Sequence, residues 1–213
     1  MTFKLMFGLG MILVFACMCL TNRYYHFPIW KVAVACIFVA LASYYGMKLM
    51  FFIESGGRWK GRSFYGAVFM IPLVMFPVSK VLKESYGELL DLVPPAGFLM
   101  LVFFKIKCKI DGCCAGRMME IGGSSFQFPS QIVECVAAAI LMVIMILIIK
   151  KGRWRGYNFA WCLFLYGCTR FVLNLFRETT PWIGPFAAGT FWSFIAILIG
   201  AAFLIRAKIQ KTA

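Results

Sequence analysis

Charge is what this sequence has least of. Of its 213 residues, 14% are charged and 62% hydrophobic, and the mean hydropathy is +0.86. A soluble domain is nearer half apolar and a quarter charged, so the apolar excess must face lipid. Histidine is almost absent: His26 is the sole one. With no paired Cys-x-x-Cys motifs either, a zinc site is a poor reading. Internal repeats, low-complexity tracts and linkers are lacking too, so residues 1–213 read as a single transmembrane helical domain. Spans of about 20 residues with short loops leave room for roughly seven helices.

What is present fits that class. Basic residues outnumber acidic ones 22 to 8, a net charge of +14. In a soluble protein this would suggest nucleic acid. Here the cations flank apolar runs, as expected where helix ends meet anionic headgroups, and no soluble basic domain exists to bind nucleic acid. The nine cysteines do not form a secreted disulfide framework. Cys17, Cys19, Cys36, Cys135, Cys162 and Cys168 lie within apolar runs, where cysteine behaves as a small hydrophobe. Only Cys108, Cys113 and Cys114 lie in a polar stretch.

The apolar runs predict an all-α, polytopic membrane protein. They cover about Leu5 to Leu20, Val32 to Ile53, a third from Phe64 interrupted by Pro72 and Pro77, and Leu89 to Phe104. Three more follow: Ile132 to Ile149, Tyr157 to Phe176, and Thr190 to Ile205. The first also resembles a signal peptide, but Phe15 suits a cleavage site poorly, and an uncleaved span is the better reading. An odd number of spans puts the termini on opposite sides. The basic loop of Lys150, Lys151, Arg153 and Arg155 shares a side with Arg206, Lys208 and Lys211. The positive-inside rule makes that side cytoplasmic and the amino terminus external. Arg58, Lys60 and Arg62, on the outer side, weigh against this.

Ionisable residues inside a span are costly and face a cavity or a partner. Lys48, Asp91, Glu134 and Arg170 qualify. Glu134 follows Gln131 by three residues, and Arg170 follows Tyr166 by four, so each pair shares a helix face. Asn174 continues the second stripe. Two readings stand: a site for a charged headgroup, or a Glu134–Arg170 pair that holds two helices together. A second polar feature runs from Lys105 through Lys107, Lys109, Asp111, Gly112, Cys113, Cys114 and Gly116 to Arg117. Its cations and glycines suit a phosphate, but taken alone the motif reads better as a basic patch resting on headgroups.

In order, these motifs resemble the prolipoprotein diacylglyceryl transferase family. Ser63-Phe64-Tyr65-Gly66 looks like its Ser-Phe-His-Gly block, and Asp91-Leu92-Val93-Pro94-Pro95-Ala96 like its Asp-x-x-Ala-Pro stretch. The segment Lys105 to Arg117 is similar to Arg-Ile-Gly-Asn-Phe-x-Asn-Gly-Glu-x-x-Gly-Arg, and closer to variants reading Gly-Cys-Cys-x-Gly-Arg. Phe128-Pro129-Ser130-Gln131-Ile132-Val133-Glu134 resembles Pro-x-Gln-Leu-Tyr-Glu. Tyr166-Gly167-Cys168-Thr169-Arg170, continuing to Phe176-Arg177-Glu178, resembles Tyr-Gly-x-x-Arg with its trailing Glu-x-x-Arg. The departures are Tyr65 for histidine, Lys105 for arginine, Cys108 for asparagine, Cys113 for glutamate and Asn174 for a second glutamate.

The resemblance implies a seven-helix enzyme of the bacterial inner membrane. Such an enzyme moves a diacylglyceryl group from phosphatidylglycerol to the cysteine of a lipobox-containing preprolipoprotein, with no cofactor and no metal. It implies catalytic roles for Tyr65, Glu134, Tyr166 and Arg170. Substrate binding falls to Lys105, Cys108, Cys113, Gly116, Arg117, Gln131, Asn174 and Arg177. Arg170, assisted by Arg117 and Lys105, would take the phosphate, with Glu134 orienting Arg170 and Tyr166 bonding headgroup or acceptor. Tyr65, with a reference pKa near 10, is a poor base, and a thiol near 8.5 is already partly ionised. The alternatives are a relative acting on another acceptor and a non-catalytic lipid-binding protein. A transporter fits least, for want of an inverted repeat.

Overall fold

The computed structural model describes residues 3–59, 61–113, 116–121, 124–177, 182–183 and 185–212. Seven long helices lie among them: α1 (Phe3–Asn22), α2 (Ile29–Glu54), α3 (Phe64–Leu82), α5 (Val93–Ile110), α6 (Ser130–Lys150), α7 (Asn158–Asn174) and α8 (Ala188–Thr212). A five-residue helix, α4 (Tyr86–Leu90), leads into α5. The chain is an all-α polytopic membrane protein. By length and composition five segments suffice to cross a membrane: α2, α3, α4–α5, α6 and α8. The apolar part of α1, Gly8–Asn22, is shorter, and α7 has 17 residues.

Chain neighbours pack in pairs, α2 with α3, α5 with α6 and α7 with α8, and α1 rests on α5 and α2. The first pair is set by two glycines. A Cβ on Gly66 would lie 1.9 Å from the carbonyl oxygen of Gly46, and one on Gly46 would lie 2.4 Å from that of Gly66. The bare backbones touch there, as small residues permit between membrane helices. Methionine and aliphatic side chains fill the interior, with Met18, Met75, Leu89, Leu92 and Met145 essentially inaccessible. Leu73, Val81 and Ile12 stand exposed on the outside, the reverse of a soluble bundle and the arrangement that lipid requires.

The two prolines of the third run do not interrupt it, contrary to the sequence expectation. α3 continues through Pro72 and Pro77 to Leu82, and the Tyr86 hydroxyl donates to the Pro72 carbonyl at 3.1 Å. Asp91 marks the break between α4 and α5. Fully buried, it accepts bonds from Tyr25 Oη (2.9 Å), the Gly156 amide (2.6 Å), the Asn158 amide (2.8 Å) and side chain (2.9 Å), and the Phe159 amide (3.3 Å). It thereby caps the start of α7 from another helix. Its role is structural, at the end of the bundle away from the cations described below.

Two small antiparallel hairpins decorate the other end, β1 (Met118–Ile121) with β2 (Ser124–Gln127), and β3 (Trp182–Ile183) with β4 (Phe186–Ala187). Between them, Gly116 bridges to Arg177. Only the last part of the Lys105–Arg117 stretch is loop among the described residues. Lys105 to Ile110 form the last turns of α5, so their amides are engaged in the helix.

Candidate active site

Glu134 stands one turn into α6 and is almost fully buried, with 4% of its side chain accessible. Two helix ends aim three cations at it. Lys105, from the last turns of α5, makes an ion pair with Oε2. Arg170, from the last turns of α7, reaches the same oxygen through Nη1 at 2.6 Å. Arg177, just past α7, approaches Oε1 through Nη1 at 3.3 Å. Three cations against one carboxylate leave a net charge of +2. A surplus of that size in a poorly hydrated place is costly unless an anion completes it. Arg177 Nε is buried and lacks a hydrogen-bond acceptor among the described residues, a donor waiting for a partner.

These cations open onto a cavity of about 300 Å³. Lys105, Arg170, Arg177, Arg62, Lys107, Asp111 and Cys108 form its polar wall; Met47, Phe64, Leu101, Phe104 and Tyr166 form the rest. Lys107 is engaged by Asp111 at 2.5 Å, one turn on, so the surplus positive charge facing the cavity comes from Lys105, Arg170 and Arg177 around Glu134. A second, largely apolar cavity of about 80 Å³ adjoins it, and Met47, Phe64, Phe104 and Tyr166 wall both. A cationic chamber backed by an apolar one has the layout of an amphiphile's headgroup and tail.

The remaining sequence-derived candidates sit behind or beside the wall. Tyr65 is buried against Tyr166, ring centroids 5.5 Å apart, with its hydroxyl 2.6 Å from Ser193 Oγ. Ser193 spends its one proton on the Gly189 carbonyl at 2.6 Å, so Tyr65 is the donor in that bond. Asn174 Nδ2 donates to the same hydroxyl at 3.4 Å. Asn174 therefore turns to α8; it lies two four-residue steps, about 80° of drift, from Tyr166, and so leaves the stripe that Tyr166 begins. Gln131 Nε2 donates to the Cys113 carbonyl at 2.7 Å. Arg117 donates through Nε to the Arg177 carbonyl at 3.0 Å, and through its amide to that of Phe176 at 3.0 Å. Gly116 packs so tightly that a Cβ would lie 2.2 Å from the Phe128 carbonyl. Gln131, Gly116 and Arg117 thus fix the segment bearing Arg177. Cys113 is exposed, and Cys114, Glu178 and Lys60 lie outside the described residues.

Lys48, expected in a span, lies against the Tyr44 ring, Nζ 4.7 Å from its centroid. Arg62 and Ser193 are the residues that sequence reasoning missed. Arg62 directly precedes the Ser63 block at the start of α3, and that adjacency was its signal; Ser193 offers none, being one serine in an apolar helix.

Fold and cluster together define a polytopic membrane protein built around a buried anion-seeking centre. The sequence model described as prolipoprotein diacylglyceryl transferase matches residues 5–206, and the chain belongs to that family. Relatives named phosphatidylglycerol–prolipoprotein diacylglyceryl transferase are similar to it. That of Idiomarina loihiensis is 28% identical over 76% of this chain and 64% of its own. That of Geobacter sulfurreducens is 27% identical over 72% and 64%, and that of Pasteurella multocida 30% over 70% and 61%. The chain thus spans less than two thirds of the length of each of these relatives.

Proposed function

We propose that this protein transfers the diacylglyceryl group of phosphatidylglycerol, or a closely similar phospholipid, to the lipobox cysteine of a preprolipoprotein. The observation that carries the reading is the +2 cluster on Glu134, with its orphaned Arg177 Nε, facing a cavity that adjoins an apolar one. The names of the relatives supply the substrates.

The acceptor thiolate attacks the glyceryl carbon that bears the phosphate. A carbon–sulfur bond forms, the carbon–oxygen bond breaks, and its electron pair leaves on the phosphate oxygen as glycerol phosphate. Arg170, Lys105 and Arg177 bind the phosphate and stabilise the charge that grows on it, and Glu134 keeps the three in place. The same cations favour the thiolate over the thiol. With a few per cent of a free thiol already ionised near neutrality, its proton can pass to water. Tyr65, a donor to Ser193 behind the wall, is not needed as a base. Tyr166 and Cys108 line the chamber and contact the headgroup.

The setting is the bacterial plasma membrane, with the cavity and the amino terminus on the outer side and the carboxyl terminus cytoplasmic. The ion pairs on Glu134 also suit a lipid-binding relative without chemistry. To separate the two, the protein in nanodiscs is given a lipobox peptide with phosphatidylglycerol or phosphatidylethanolamine, and glycerol phosphate is measured. Release from phosphatidylglycerol that requires the peptide supports transfer; tight lipid binding without release supports the second reading.

A further inference from the structure

We propose that the apolar cavity seats one acyl chain of the donor lipid and that Gly97 determines which chains fit. This rests on the lipid-donor reading above and names a specificity residue within it.

Gly97 lies within α5 and lines the apolar cavity together with Val39, Val68, Ile71 and Met100. A glycine inside a helix is less favourable than an alanine, and one usually finds its reason in a close neighbour. Gly46, Gly66, Gly167 and Gly200 all have one: a Cβ on any of them would press within 3.0 Å of a neighbour. Gly97 has none. Nothing lies within 4 Å of where its Cβ would stand, and the open space is the cavity. Packing thus gives no reason for the missing side chain, whereas an occupant of the cavity does.

The chemistry of the walls selects the occupant. Among the polar groups, Ser43 Oγ is tied to the Val39 carbonyl at 2.6 Å, so little is left to hold water. Apolar cavities of about 150 Å³ stay dry and accept benzene; one of about 80 Å³, roughly half that size, holds a short stretch of a single hydrocarbon chain and leaves the rest of the tail to the lipid. Its position selects the source. Gly97 precedes Lys105 by eight residues, about 12 Å along a helix, close to the ~15 Å of one leaflet of a ~30 Å core. A chain whose phosphate sits among Lys105, Arg170 and Arg177 reaches Gly97 past Met47, Phe64, Phe104 and Tyr166, which wall both chambers.

The test pairs Gly97→Leu and Gly97→Ala with two phosphatidylglycerol donors, one dioleoyl and one dihexanoyl. Gly97→Leu should lower kcat/KM for the dioleoyl donor by at least about tenfold, leave the dihexanoyl donor within about twofold, and Gly97→Ala should fall between. Equal losses on both donors, or no loss on either, overturn the proposal. A phosphatidylglycerol carrying a diazirine in one acyl chain gives a readout independent of turnover. Crosslinks should map to α5 around Gly97 and Met100 in the parent protein and vanish in Gly97→Leu. Crosslinks elsewhere overturn the seat. A parent protein that crosslinks there yet transfers to no acceptor keeps the seat and refutes the transferase reading.

Discussion

Arg170 Nη1 lies 2.6 Å from Glu134 Oε2, joining the end of α7 to the start of α6 on an oxygen that also takes Lys105. The pair both holds the helices and forms the wall of the cationic chamber, so the two sequence readings of these residues are not rivals. A carboxylate outnumbered three to one fixes its cations without neutralising them.

Removing the carboxylate leaves three partly buried cations without a counter-charge. Glu134→Gln keeps the shape and should cost on the order of 3–5 kcal/mol, read as a lower melting temperature in detergent. Arg170→Ala should slow transfer by at least ~10²-fold, the scale of one lost transition-state donor. Arg170→Lys, which keeps the charge but not the fork, should fall between. An Arg170→Ala protein with full activity contradicts the phosphate assignment.

Tyr65→Phe separates position from motif. The phenol faces Ser193 and does not line the chamber, so its removal should cost about 1 kcal/mol of stability. Transfer should stay within roughly threefold of the parent rate, a loss of well under 1 kcal/mol in transition-state stabilisation. A collapse of kcat in a well-folded variant would make Tyr65 catalytic after all.

Asp91→Ala should act on stability alone. Burial first, and then the Asp91 charge, hold the Tyr25 hydroxyl far above the ordinary phenol range, so it remains a donor at any working pH. Taking away the acceptor strands Tyr25, the Asn158 side chain and the first amides of α7. At about 1–3 kcal/mol for each unsatisfied group, thermal unfolding should drop sharply while KM for the lipid in the folded fraction stays unchanged.

Two glycines should respond in opposite ways. Gly66→Ala drives a methyl into the Gly46 backbone and should abolish recovery of folded protein. Gly97→Ala, with open space before it, should express and melt like the parent; size-exclusion profiles and melting curves report both.

Much of the fold was legible because lipid makes a simple demand. Each apolar run became a helix, and the breaks fell at Arg23, Gly56 and Gly152, where polar or glycine-containing turns sit. Lys48, Asp91, Glu134 and Arg170 stood out as charges that membrane spans carry only for a reason, and the site holds two of them; Lys105 came from the polar stretch after the fourth run and Arg177 from the family resemblance alone. Asn174 and Arg117 were less legible, since side-chain direction depends on helix drift and on a backbone bridge between distant segments. Met118–Gln127 gave no warning of its hairpin, and the apolar chamber is a property of packing that no single stretch encodes.

The most direct test supplies the purified protein with phosphatidylglycerol labelled in its diacylglyceryl group and a lipobox peptide, beside Arg170→Ala under the same conditions. The account predicts label on the peptide cysteine and stoichiometric glycerol phosphate from the parent protein, with neither from the variant. Label absent from the parent, or equal in both, would contradict it.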